Sequence, residues 1–327
     1  MNLKLPHRLV LSPGTDARGM VASRPDAFKA ELDALISRAL IPAGPVLPAA
    51  ARSPTRHMPL TAAETLGHAG TLVWGPAPGD LAARAFKALK DTCEQQRYDL
   101  ALIPEGEEMG DFAVLAMDMD STVITIECID ELAAFAGKKA EVAAITEAAM
   151  RGEISDYAES LRQRVALLAG VPVEAAQEVI DQSLRLTPGA RQLLAGAKAA
   201  GLTTLLVSGG FTLFTTPVSE TLGFDRVRSN VLEVQHGLLT GRLVGEIVDG
   251  EAKASALKAL CAELGVPPNK SIAIGDGAND LPMMALAGLS VAHKAKPAVR
   301  SKAMRAIQYS RLDSLLVGWK SLDETSL

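Results

Sequence analysis

Asp118 and Asp120 stand two residues apart in the run Met117-Asp118-Met119-Asp120-Ser121-Thr122. Two carboxylates held close together repel unless a cation lies between them or one keeps its proton. Both outcomes are chemically useful: an ionised carboxylate can attack as a nucleophile, and a protonated one can hand its proton to a leaving oxygen. An isolated Asp-x-Asp is more often a solvated acidic turn. A second stretch, Val207-Ser208-Gly209-Gly210, offers a hydroxyl and backbone N–H groups unobstructed by Cβ atoms, which suits an anion such as phosphate. Taken alone, Ser-Gly-Gly more commonly marks a turn. A third, Gly275-Asp276-Gly277-Ala278-Asn279-Asp280, packs three oxygen-bearing side chains among glycines. Such a set fits a hard cation of the Mg2+ type, and it lacks the ligand spacing of a calcium loop. Its blander role is an Asx-rich turn in which Asn279 or Asp280 caps a helix beginning near Leu281. Lys253, in Gly250-Glu251-Ala252-Lys253, would ordinarily be a solvated charge. Beside a phosphate it would neutralise the charge that develops on the transferred group.

The elements around these residues decide between the readings. Ala113–Met117 is a short apolar run that ends at Asp118, the signature of a buried parallel strand. Along an extended strand Asp118 and Asp120 would project to the same side. Thr203–Val207 is a second such strand, ending at Ser208, and Ser271–Ile274 a third, ending before Asp276; Leu289–Ala292 is a fourth. A helix is expected from Thr187-Pro188-Gly189, with Thr187 as cap and Pro188 at the first helical position. Another spans Ala252–Leu264. Asn230–Val248, with His236-Gly237 and Thr240-Gly241 between apolar runs, reads as a hairpin. Strands alternating with helices predict an α/β fold, a doubly wound parallel sheet whose ligands bind beyond the carboxyl ends of the strands. About 85 residues separate Thr122 from Ser208, far more than the dozen or so that a crossover requires. From about 126 to 184 they are helical in character, which predicts a helical insertion in a core spanning 108–327.

Residues 1–107 are looser. Arg8–Leu11, Thr71–Trp74 and Tyr98–Ile103 read as strands, with helical stretches at Asp26–Ala39 and Asp80–Cys93 and a Pro/Ala-rich loop at Pro42–Pro54. They suggest a small N-terminal α/β domain, without a chemical motif, that could be regulatory. Apolar residues make up 48% and charged residues 22%, the balance of a folded globular chain, and the net charge of -5 argues against nucleic acid. No run of about 18 apolar residues lacks charges or breakers, so no membrane span is expected. Cys93, Cys128 and Cys261 are odd in number and widely spaced, which suits free thiols in a reducing compartment. The N-terminal MNLKLPHRLVLSPG, broken by Pro6 and Pro13, lacks the apolar core of a secretion signal. The expected location is the cytoplasm.

Each motif is weak alone; their order is not. An Asp-x-Asp-x-Thr after one strand, a Ser after a second, a Lys, and Asp-x-x-x-Asp after a third resemble the haloacid dehalogenase superfamily of phosphatases. The resemblance implies that Asp118 becomes a covalent aspartyl-phosphate and that Asp120 acts as general acid and then base. It implies phosphate binding by Ser208, Gly209 and Lys253, with Thr122 and Asp280 in support. Mg2+ would be held by the Asp118 carboxylate, the backbone carbonyl of Asp120 and the Asp276 carboxylate. The long insertion would be a helical cap that covers the site.

Within the cap the resemblance narrows. Asp118-Met119-Asp120-Ser121-Thr122 followed by Glu127 and Ile129-Asp130-Glu131-Leu132, then Ala149-Met150-Arg151-Gly152-Glu153, then Ser160-Leu161-Arg162-Gln163-Arg164-Val165, are similar to the phosphoserine phosphatases. The match spans roughly residues 112–315 and implies that Glu127 receives the substrate ammonium group, Arg164 its carboxylate, and that Asn279 positions the phosphate and leaving group. An anion and a bidentate cation set apart do suit an amino acid; without the motif, Glu127 and Arg164 would be an ordinary surface ion pair. Arg162 is the neighbouring alternative, on another face of the helix. One departure is plain: the family usually places a Phe shortly after the Ala-Met-Arg-Gly run, whereas here the nearest aromatic is Tyr157, in a segment one residue longer. The N-terminal part resembles an extra domain carried by some bacterial members, sometimes related to amino-acid-sensing modules. The expected activity is Mg2+-dependent hydrolysis of O-phospho-L-serine to L-serine and phosphate, the last step of serine biosynthesis. The alternatives are a phosphatase or phosphotransferase for another small phosphomonoester, and an inactive amino-acid sensor. The expected partner is the small-molecule substrate, with no nucleic acid or membrane, and a homodimer is left open.

Overall fold

The computed structural model describes residues 7–13, 56–57, 72–77, 90–104, 107–150, 153–154, 156–317 and 319. Expectations placed on 26–39, 42–54 and most of 80–93 lie outside the described residues, as do Arg151 and Gly152. The chain divides into two compact units. One comprises Met1–Asp111, Pro188–Gly196 and Arg305–Leu327; the other Phe112–Thr187 and Ala197–Met304.

In the first unit β1 (His7–Pro13), β2 (Arg56–His57), β3 (Leu72–Ala77) and β4 (Tyr98–Pro104) form an antiparallel sheet in the order β2-β3-β1-β4. The carboxylate of Asp99 on β4 accepts hydrogen bonds from the backbone N–H groups of Gln308, Tyr309 and Ser310 and from the Ser310 hydroxyl. That knot makes the C-terminal segment part of this unit, because a buried carboxylate needs such donors.

The second unit carries the motifs. Its strands are β5 (Val114–Met117), β6 (Thr203–Phe211), β7 (Arg226–Gln235), β8 (Leu238–Val244), β9 (Ser271–Gly275) and β10 (Leu289–His293). They run in the order β10-β9-β5-β6-β7-β8, with every pairing parallel except β7–β8. All four residues of β5 are fully buried, as a central parallel strand covered on both faces requires. The chain leaves β5 in one direction, toward β6 and β7, and returns on its other side at β9. That reversal opens a crevice beyond the carboxyl ends of β5 and β9. Register sharpens it: Met117 pairs with Leu206 and with Ile274, so the residues that follow leave the sheet at nearly one level.

Between β5 and β6 lie α1 (Cys128–Phe135), α2 (Lys139–Met150), α3 (Tyr157–Ala166) and α4 (Ala175–Gln182), with only isolated bridges among the described residues: Ile124–Leu186 and Pro172–Leu238. The helical character expected of about 126–184 is therefore seen. Four local expectations change. β6 runs on to Phe211, so Ser208-Gly209-Gly210 is extended strand and not a turn. The helix expected from Thr187 starts two residues beyond Pro188, as α5 (Ala190–Ala199), because Pro188 and Gly189 form a turn. β5 stops at Met117, so Asp118 and Asp120 are brought together by a tight turn over Met119–Val123 and not by strand alternation. After β9 Asp280 accepts the Gly277 N–H at 3.0 Å within a short turn, and no side-chain cap bond is made to α8 (Leu281–Leu286). Two helices complete the positioning frame, α6 (Thr212–Leu222) and α7 (Gly250–Glu263).

Candidate active site

The site assembles at the switch point. Asp118, directly after β5, donates its N–H to Ile274 O of β9 at 3.0 Å, so its backbone is still tied to the sheet. Its Oδ1 accepts from its neighbour Met119 N–H at 2.8 Å. The same oxygen lies 2.8 Å from Lys253 Nζ. Lys253 is reached because Asp249 caps α7, accepting the Ala252 N–H at 2.8 Å, which sets the first turn of that helix against the strand ends. The ammonium is fully buried and also meets Asp280 Oδ1 at 2.7 Å. Gly275 explains how Asp280 comes so close: a Cβ there would collide with its carboxylate.

Carboxylate oxygens of Asp118, Asp276 and Asp280 all lie within 4.8 Å of one another. One ammonium cannot neutralise three carboxylates. Burial pushes Asp118 up to about 7, with Asp280 adding to the rise and Lys253 opposing it. Burial likewise pushes Asp276 up to about 8, reinforced by Asp118, Asp280 and Glu127. Burial alone would lower Lys253, yet Asp118 and Asp280 together hold it above its ordinary value, so it stays charged. A buried cluster with surplus negative charge and oxygen donors only is the donor set of a hard divalent cation. Thr122 Oγ1 donates to Asp276 Oδ1 at 3.3 Å and orients one of these carboxylates from outside. The sequence reading gave Asp280 a supporting place; the structure puts its carboxylate inside the acidic cluster, beside Asp118 and Asp276.

Asp120 has a different environment. Its Oδ2 accepts the Cys128 N–H at 3.3 Å, while Oδ1 is buried without a hydrogen-bond partner among the described residues. Burial, then Glu127, then Asp118 raise it well above the usual carboxylate range. Burial and those two charges thus favour its protonated form over that of an ordinary exposed carboxylate. The two aspartates of one motif thus stand in different surroundings.

Ser208 is fully buried, and its Oγ accepts the Gly210 N–H at 2.9 Å. Gly209 keeps its carbonyl fixed by Asn230 Nδ2 at 2.8 Å, while Asn230 Oδ1 accepts the Val248 N–H at 2.8 Å. Asn230 escaped the sequence reading. Its signal was a short amide in the middle of the strand Arg226–Gln235, and it is 1% exposed. Gly209 keeps space open, since a Cβ there would strike the Tyr157 hydroxyl, and one at 210 would stand 3.3 Å from Asp120 Oδ2, a tight contact.

Glu127 and Arg164 lie at the mouth. Ser121, held at φ 54, donates its hydroxyl to Glu127 Oε1 at 2.6 Å. A serine in the left-handed region is strained, and here the conformation sets the hydroxyl on that carboxylate. Solvent reaches Glu127, yet crowding by the surrounding protein raises its pKa against the Ser121 bond. Arg164, half-buried, has its Nε donating to Ser160 O at 3.3 Å. Among the described residues no ion pair joins Arg164 to Glu127; Arg164 acts on that carboxylate only as a nearby positive charge. Arg162 turns away to Glu159 at 3.7 Å on an exposed face. Asn279 sits beside Gly277, half-buried at the edge of the acidic cluster. Asp118, Asp120, Thr122, Ser208, Gly209, Lys253, Asp276, Asn279 and Asp280 thus gather around one crevice, with Glu127 and Arg164 facing it.

Residues 115–285 match the family model for haloacid dehalogenase-like hydrolases. A phosphoserine phosphatase of Polaromonas sp. is 61% identical over 213 residues, which cover 64% of this chain and 90% of that protein. Among solved structures, a HAD family hydrolase of Salmonella enterica aligns with a TM-score of 0.79 at 27% identity, over 97% of this chain and 99% of its own. A probable phosphoserine phosphatase of Vibrio cholerae, unliganded, aligns with a TM-score of 0.67 at 29% identity, over 98% of this chain and 88% of its own. A family model that matches half the chain, together with a relative covered almost end to end, is decisive: this chain belongs to the haloacid dehalogenase-like hydrolases.

Proposed function

We propose that the chain is a Mg2+-dependent phosphoserine phosphatase working through an aspartyl-phosphate. The observation that carries the chemistry is the lock on Asp118: one carboxylate oxygen is fixed by Lys253 and by the Met119 N–H, beside a second aspartate whose pKa burial pushes well up. Asp118, Asp276 and the Asp120 carbonyl would hold Mg2+, with Asp280 close by. The metal supplies positive charge that offsets the carboxylates and the incoming phosphate.

The protein's own part follows from the site. The phosphoryl oxygens are received by the Ser208 hydroxyl, the amide groups around Gly209, Asn279 and the Lys253 ammonium. An oxygen of Asp118 attacks phosphorus while the P–O bond to the serine oxygen breaks, and Asp120 delivers its proton to that oxygen. L-Serine leaves. Asp120, now a carboxylate, takes a proton from water as the water oxygen attacks phosphorus, which releases phosphate and restores Asp118.

Substrate choice rests on Glu127 for the ammonium and Arg164 for the carboxylate, and on the 61% identity to the Polaromonas phosphoserine phosphatase. Helices α1 to α4 supply the cap: Glu127 precedes α1 and Arg164 ends α3. The N-terminal domain expected over residues 1–107 falls in the unit that also takes in Pro188–Gly196 and Arg305–Leu327. No helix among the described residues is long and apolar enough to cross a membrane. The three cysteines are free and buried, which suits the reducing cytoplasm.

The test is phosphate release from phosphoserine, phosphothreonine and sugar phosphates, with Mg2+ or with EDTA. Phosphoserine should lead by roughly tenfold or more, since each charged group recognised is worth that much, and EDTA should abolish turnover. Preference for a sugar phosphate would overturn the substrate reading.

A further inference from the structure

Tyr157 is the first residue of α3, whose start is set by Asp156 Oδ1 accepting the Ala158 N–H at 2.9 Å. Arg164 follows seven residues later, two turns on, so both side chains project from the same face of the helix. The Tyr157 ring reaches back to β6. A Cβ built on Gly209 would strike the Tyr157 hydroxyl and stand 3.4 Å from its Cζ. Strand β6 thus keeps a glycine where the phenol comes down on the backbone next to Ser208. Among the described residues nothing hydrogen-bonds that hydroxyl, although the charges of Lys253, Arg164, Asp118 and Asp120 all act on it. Burial raises its pKa further above the ordinary tyrosine value, so it remains an O–H donor.

A neutral donor half-buried over an anion-binding backbone, with no protein acceptor, is waiting for an acceptor on the ligand. We propose that the Tyr157 hydroxyl donates a hydrogen bond to the phosphoryl group held at Asp118, Ser208 and Gly209, and so determines affinity for the phosphate end of the substrate. The position over Gly209 selects the phosphoryl end over the amino-acid end. Arg164 and Glu127 carry the latter. A phenylalanine there would give the same apolar wall without the bond. This proposal rests on the phosphatase reading above, but not on which phosphomonoester is hydrolysed.

The test uses the full chain loaded with Mg2+ and the variant Tyr157→Phe, which keeps the ring and its packing. Calorimetric titration with inorganic phosphate should show a dissociation constant raised about tenfold or more, the usual loss for a hydrogen bond to a charged group. The kcat/KM values for phosphoserine and for p-nitrophenyl phosphate should fall by a similar factor. A phosphate dissociation constant raised less than about threefold overturns the proposal, including the case in which only phosphoserine kinetics change, because the hydroxyl would then serve the amino-acid end. If wild type fails to hydrolyse phosphoserine, the substrate reading falls while the phosphate titration still judges Tyr157. Gly209→Ala provides a second check. Its methyl group would push the hydroxyl aside, so adding Tyr157→Phe to it should cost almost nothing more, and strictly additive losses would refute the contact.

Discussion

Lys253→Met is the sharpest perturbation the site allows, since methionine keeps the apolar stem and removes only the charge. In the wild type the ammonium sits 2.8 Å from Asp118 and 2.7 Å from Asp280, wholly out of solvent. Without it, three carboxylates remain within 4.8 Å of one another. At that separation each ionised pair repels by roughly 3 kcal/mol with an effective dielectric near 20. The protein would avoid part of that cost by protonating, so the net loss expected is about 3–5 kcal/mol, as for other buried pairs broken from one side. The pH dependence follows from the direction of the shifts. Asp118 and Asp276 have folded pKa values raised to about 7 and about 8 from the ordinary 3.8. Between about pH 4 and 8 the folded protein therefore binds protons that the unfolded chain has already released, and stability falls as pH rises through that window. Removing Lys253 takes away the group that lowers both values, so the variant suffers most above about pH 8 and recovers as the carboxylates protonate. Thermal melts in EDTA at alkaline and mildly acidic pH measure this. The gap between variant and wild type should be on the order of 10 °C at the alkaline end and shrink toward pH 5. Saturating Mg2+ should close part of the gap by supplying positive charge to the same carboxylates. A variant that melts with wild type in alkaline EDTA, or a gap that ignores pH, would refute this account of the cluster.

Asp120→Asn removes the proposed proton donor without changing shape. It should slow hydrolysis of phosphoserine, a poor leaving group, by about 10²- to 10⁴-fold. The first-step release of nitrophenol from p-nitrophenyl phosphate should lose far less, and equal losses in rapid-quench bursts would remove Asp120 from the acid role. Asn230→Ala leaves the Gly209 carbonyl and the Val248 N–H without their shared amide. It should cost roughly 1–3 kcal/mol by urea denaturation and weaken phosphate binding through loosening of β6; unchanged phosphate affinity would show that Gly209 needs no such anchor.

The parts of this fold legible in the sequence are those whose cause is local. Val114–Met117 is a strand because four apolar residues in a row suit a strand buried on both faces, and Asp118 could be placed at its end without knowing what lay beside it. The hairpin turn at His236-Gly237 is legible for a similar reason, since its second residue is a glycine, which takes a positive φ without strain. What stayed hidden depends on partners far along the chain. Ser208-Gly209-Gly210 carries the composition of a turn. It is strand because Phe211 still pairs with Asn230 on β7 and because Tyr157 needs the space that a side chain at 209 would fill. Asp280 looked like a helix cap; Gly275, five residues earlier, lets it fold back onto Lys253.

The same distinction explains why the two aspartates can be singled out from the sequence while their geometry differs from strand alternation. Strand alternation would have placed Asp118 and Asp120 side by side in one environment, and their pKa values would then split only through mutual repulsion. The turn over Met119–Val123 does something else. It leaves Asp118 in line with β5, where Lys253 can reach it. It carries Asp120 toward α1, where it meets a single backbone N–H and the negative charge of Glu127. The two carboxylates proposed as nucleophile and acid are thus separated by the company each keeps. That separation requires the helical insertion to begin immediately after the motif, because α1 supplies both Cys128 and, just before it, Glu127. The insertion that is proposed to choose the substrate therefore also supplies neighbours that act on the carboxylate proposed to release it.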